Sequence, residues 1–131
     1  MSTISDFDSA ASAGIDREHE VQLSLLRALC EALRAQCDGA QLSAMLEQLS
    51  DYCEAHFVSE ELIMRQKSFD DYEDHIEDHS HMLDLLRAIA VDHATGRSSE
   101  LTQKTGQALA FIETHINTRD RRFADFLRND R

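Results

Sequence analysis

The chain contains no proline and no tryptophan, and only four of its 131 residues are glycine. So few helix breakers point to long helices with short joints. The alternation of β-branched and aromatic residues that marks strands is missing as well. No apolar run reaches the ~18 residues that would cross a bilayer, so no transmembrane helix is expected. Basic residues are scarce: 13 Lys plus Arg against 25 Asp plus Glu, a net charge of −12. Such a surface repels phosphate backbones and anionic lipid, and neither nucleic acid nor a membrane is an expected partner. The three cysteines, Cys30, Cys37 and Cys53, are odd in number and too few for a disulfide framework. They read as reduced thiols filling small apolar positions, in a cytoplasmic protein. The N-terminal stretch has neither the basic nor the apolar region of a secretory signal.

What the sequence does have is four stripes of apolar residues stepping in threes and fours. They predict helices over about 16–36, 41–66, 71–94 and 99–118. Residues 1–14 read as a loose arm and 120–128 as a short C-terminal segment, all within one domain spanning 1–131. Gly39 and Gly96 fall where helix C-caps are expected. Ser68, Asp70 and Asp71 are N-cap candidates for the third helix, and Ser98 and Ser99 for the fourth. The acidic residues Asp70, Asp71, Glu73 and Asp74 read as solvated charges at a helix start. Joints this short make consecutive helices antiparallel neighbours. The expected fold is all-α, an up-down-up-down four-helix bundle.

Six ionisable residues interrupt stripes that should be apolar: His19, His56, Glu60, His75, His79 and His115. Burying them without partners would be very costly. In the expected topology all six come to the same end of the bundle core. His56–Glu60 and His75–His79 are each spaced i, i+4, one turn apart on one face, roughly 6 Å between Cβ atoms. Imidazoles with a carboxylate suit iron, zinc, copper or nickel. Asp120 is a seventh candidate. It lies five residues after His115, about 140° round an ideal helix, so it joins the site only if the helix ends or loosens there; a π-type turn would do it, and Asn117-Thr118-Arg119 permits such a break without demanding one. Glu61, about 100° beyond Glu60, is expected to face away. His81 is expected to face solvent, and His93 to be an ordinary histidine at a helix C-terminus. Phe57 and Tyr72 read as core. Cys53 lies one turn before His56 and is not needed as a ligand.

The pattern Ile15-Asp16-Arg17-Glu18-His19, His56-Phe57-Val58-Ser59-Glu60, His75-x-x-x-His79 and His115-Ile116-Asn117-Thr118-Arg119-Asp120 resembles the hemerythrin family, bacterial hemerythrins in particular. The likeness runs from about residue 14 to residue 126. It implies two iron ions with an oxo or hydroxo bridge: His75, His79 and His115 on one iron, His19 and His56 on the other, Glu60 and Asp120 bridging. Two tryptophans common in bacterial members are replaced, with Phe7 standing for one and Phe111 for the other.

The resemblance leaves one coordination position open, on the iron held by His19 and His56, beneath an apolar pocket of Phe57, Ile112 and Ile116. One open position suits a small diatomic ligand. The expected function is therefore reversible O2 binding, for transport, storage, delivery or sensing, by a binding protein with no catalytic residues of its own. The alternative is a di-iron oxidase or peroxidase, or a protein that handles nitric oxide, with peroxide or nitric oxide in place of O2. A partner or fused signalling domain fits the sensing role. A ferritin-like oxidase would need Glu-x-x-His and a hydrolytic site of the HD type a His-Asp doublet; the sequence contains neither.

Overall fold

A computed structural model describes the backbone of residues 4–129 and the side chains of residues 13–129. The order is α1 (Ile4–Arg34), α2 (Gly39–Gln66), α3 (Tyr72–Ala94), α4 (Ser98–His115), a π segment (Ile116–Asp120) and α5 (Arg121–Asn129). α1 packs on α2 and α4, and α3 packs on α2 and α4, so the four long helices close an up-down-up-down bundle. Among the described residues no helix is long and apolar enough to cross a membrane.

Residues 4–14 are helical rather than a loose arm. Nothing in that stretch breaks a helix except Gly14, and an interior glycine costs only ~1 kcal/mol. The side chain of Phe7 lies outside the described residues.

The joints differ from expectation in who caps them. Each of the three closes with paired bonds to the last turn of the preceding helix, as from Cys37 N to Ala32 O at 3.1 Å and from Gln36 N to Leu33 O at 3.2 Å. That motif needs one residue in the left-handed conformation. Gly96 supplies it after α3, with φ 72°, but Gln36 and Ser68 supply it after α1 and α2, each with φ 53°. Gly39 is instead the first residue of α2, because Asp38 caps that helix by accepting from Gln41 N at 2.8 Å. Neither Ser98 nor Ser99 caps α4; the N-cap position falls to Arg97, which follows Gly96 directly and makes no side-chain capping bond. Asp71 holds the N-cap of α3 without a capping bond, and it is buried rather than solvated.

The core is divided by a polar layer. The larger apolar cluster includes Leu26, Leu49, Met82, Leu86, Ile89 and Ile112 and ends at Phe57. A smaller one, Ile15, Met64, Phe69, Phe123 and Leu127, closes the other side. α5 supplies two of its members and packs against α1. Histidines lie between: Phe57 stacks on His79 at 4.0 Å, while Phe69 and Phe123 meet His75 edge-on at 6.4 and 6.2 Å.

Two glycines separate backbone from packing effects. Gly106 sits mid-helix in α4 with nothing within 4 Å of an added Cβ. Gly106→Ala should raise unfolding free energy by ~0.5–1 kcal/mol. Gly96→Ala has equal space but forces a left-handed conformation and should lower it. Paired denaturant titrations check both signs.

Candidate metal centre

His19, His56, Glu60, His75, His79, His115 and Asp120 are all buried. α1 carries the first, α2 the next two and α3 His75 and His79. His115 ends α4, and Asp120 ends the π segment. The wider turn brings a residue five positions on to the same face, which an α-helix would not do. All seven therefore converge on one region.

The carboxylate oxygens divide the imidazoles into two sets. Glu60 Oε2 lies 3.0 Å from His19 Nε2 and 3.2 Å from His56 Nε2. Its Oε1 lies 3.1 Å from His79 Nε2 and 3.3 Å from His75 Nε2. Asp120 Oδ1 lies 2.7 Å from His75 Nε2 and 3.1 Å from His115 Nε2, and its Oδ2 lies 2.9 Å from His19 Nε2. Two groups of donor atoms result, each within 4.8 Å: Glu60, His75, His79, His115 and Asp120; and His19, His56, Glu60 and Asp120. Both carboxylates belong to both groups.

At His19, His56, Glu60, His75, His79 and Asp120 burial opposes charge, and mutual pairing outweighs it. Burial would lower the pKa of His19, but hydrogen bonds and charge from Asp120 and Glu60 raise it from 6.5 to about 10. The same two carboxylates raise His75 against burial to about 9. His56 and His79 are also raised despite burial, chiefly by Glu60. Burial would raise Glu60, yet the close approach of the His19, His56, His75 and His79 imidazoles holds it well below the usual carboxylate range. Asp120, opposed by burial and by Glu60, is held below that range by His115, His19 and His75. Both carboxylates thus stay ionised in the core and require positive charge around them. Without a metal that charge is protons on imidazole Nε2 atoms, so proton and metal compete for one position.

The hydrogen bonds behind the histidines show that the donor set fits a metal. His56 Nδ1 donates to Glu18 at 2.7 Å, His79 Nδ1 to Glu61 at 2.7 Å and His115 Nδ1 to Asp78 at 2.9 Å. A ring that donates from Nδ1 keeps its Nε2 lone pair for a cation, the usual arrangement behind metal-bound histidine. The Nε2 atoms of these three rings and Glu60 Oε1 are buried and face carboxylate or imidazole atoms of the site at 3.1–3.3 Å without the alignment of a hydrogen bond.

Sequence reasoning missed these three carboxylates, and for Glu61 it pointed the wrong way. Each neighbours a member of the site in sequence: Glu18 precedes His19, Glu61 follows Glu60, and Asp78 precedes His79. Such a residue leaves its own helix's inner stripe by about 100°. In a closed bundle that turns it toward the adjacent helix rather than into solvent. Gln22 was also missed; it is buried and donates from Nε2 to Cys53 Sγ at 3.1 Å, which places Cys53 in that contact and outside both donor groups. His81 is exposed and lies against Phe111 at 4.7 Å. His93, at the far end, meets Ser43 Oγ at 2.9 Å and Gly39 O at 3.1 Å.

A helical bundle with a buried layer of histidine and bridging-capable carboxylate is a metal-binding fold. Residues 10–127 match the family model described as Hemerythrin HHE cation binding domain, and the chain belongs to the hemerythrin family. No curated protein and no solved structure matches it. Family and donor set together indicate iron, bound without haem.

The carboxylates behind the histidines should be measurable in metal retention. Glu61→Gln and Glu18→Gln should each weaken iron binding by ~10–100-fold in competition with a chelator. Glu47→Gln, exposed on α2, should match the parent. Parental retention in Glu61→Gln would mean that the His79 bond does not support the site.

Proposed function

We propose that the chain binds O2 reversibly at a centre of two irons joined by Glu60, Asp120 and an oxo or hydroxo bridge. His75, His79 and His115 would hold one iron, and His19 and His56 the other. The observation that carries this reading is the division of both carboxylates between two imidazole sets, one oxygen to each side. A single-metal site has no use for two carboxylates shared in this way. The side with His19 and His56 has one histidine fewer, so a metal held there would be the one with room for a diatomic ligand. Two ferrous ions supply two electrons that O2 can take up and return.

The chain's own residues decide what reaches that position. Phe57 is buried and lies 5.7 Å from His56 as well as against His79. Ile112 is buried one turn before His115, and Ile116, half-buried, follows it. These apolar walls admit a neutral diatomic at little cost and disfavour anions, whose charge would have to be stripped of water. The seven donors face one another, and the three carboxylates behind them are engaged with His56, His79 and His115. The role is that of a binding protein, a carrier, store or sensor of O2, rather than an enzyme. The three free thiols of Cys30, Cys37 and Cys53 suit a cytoplasmic setting.

The test is an absorption spectrum of the anaerobically reduced protein. Admitting air should produce a visible band, and removing O2 should abolish it, over repeated cycles. Ile112→Ala should keep its iron while losing the band faster in air, and should cost ~2–5 kcal/mol of stability from the void it leaves. A parent with no reversible band that consumes peroxide steadily would replace this reading with the oxidase or peroxidase one.

A further inference from the structure

Arg119 precedes Asp120 in the π segment and reaches outward to the start of α3. Its Nε donates to Asp78 Oδ2 at 2.7 Å, and that same oxygen accepts from His115 Nδ1 at 2.9 Å. Its NH1 donates to Asp71, 3.2 Å from Oδ1 and 3.1 Å from Oδ2, with Asp74 Oδ2 at 3.9 Å. Asp71 holds the N-cap of α3, where an aspartate ordinarily accepts from the helix's own first turn. Here it makes no such bond. Its buried carboxylate faces Arg119 instead, with a looser contact from Arg122 at 3.7 Å. A stabilising cap is forgone for an ion pair to the π segment.

We infer that Arg119 is a positioning residue for the metal centre. Through Asp71 it ties the π segment to α3, and through Asp78 it fixes the ring of His115, so His115 and Asp120 present their donors to the same ion. A guanidinium suits this task because it is a planar fork, whose Nε and NH1 reach two carboxylates at once. An ammonium is a point charge and cannot span both with fixed geometry. The inference rests on the di-iron reading, and it concerns two of the seven proposed ligands: one terminal to its iron and one bridging.

The experiment is chelator-driven iron release from the loaded full chain. Arg119→Ala and Asp78→Asn should each release iron ~10-fold faster than the parent. Their combination should fall short of the product of the two single effects, because both remove the Asp78 contact, while Arg119 also acts through Asp71. Arg119→Ala combined with Glu18→Gln should multiply the two effects, because Glu18 holds His56 on the other side. Arg119→Lys should fall closer to the alanine variant than to the parent. Parental release by Arg119→Ala, or multiplication with Asp78→Asn, overturns the inference. If the parent holds no iron, it is the di-iron reading that fails. Hydrogen exchange on the purified chain then tests the positioning directly. Arg119→Ala should speed exchange across residues 116–120 by ~10-fold and leave residues 42–53 unchanged. Equal exchange in both segments overturns it.

Discussion

Two ionised carboxylates lie in the core of a helical bundle, and the surrounding structure answers to them. Glu60 and Asp120 are 1% and 2% exposed. A buried charge without partners would cost far more than a domain of this size gains on folding. Their four oxygens are instead surrounded by five imidazoles on four elements. The bundle's topology and its apolar layers above and below place those imidazoles, and the π segment places Asp120 among them.

The second organising feature is a circuit of carboxylates. Glu18 on α1 holds His56 on α2, Glu61 on α2 holds His79 on α3, and Asp78 on α3 holds His115 on α4. Each of the first three helices thus sets a ring on its successor, and the donor geometry becomes a property of helix packing rather than of any one helix. The π segment adds the last donor. It is the one place where the backbone departs from regular α-helix inside the site, as irregular turns tend to do where function requires a register change.

The fold and the seven-residue constellation were legible because both rest on period and spacing. Histidines at i, i+4 on an apolar stripe carry a signal that survives without coordinates, and the five-residue step from His115 to Asp120 fits a site only where the helix ends or loosens, for which a π-type turn is one solution. The joints were less legible. Gln36 and Ser68 take left-handed positions that composition would give to glycine, and Asp71 declines the cap its type suggests. Glu18, Glu61 and Asp78 were invisible for a physical reason. A charge about 100° off the inner stripe looks solvent-facing on a lone helix, and only the neighbouring helix turns it into a partner. The helix over residues 4–14 was missed because its stripe, Ile4, Phe7, Ala11 and Ile15 at steps of three and four, is diluted by the serines, aspartates and small residues around it.

The central claim is that this layer of residues holds a pair of irons. Metal analysis of the chain produced with ample iron, combined with Mössbauer spectroscopy of the oxidised sample, tests it most directly. The account predicts about two irons per chain, magnetically coupled through shared bridges, with little zinc, as the shared ligand set requires. One metal ion per chain, or zinc alone, or two irons without coupling, would contradict it.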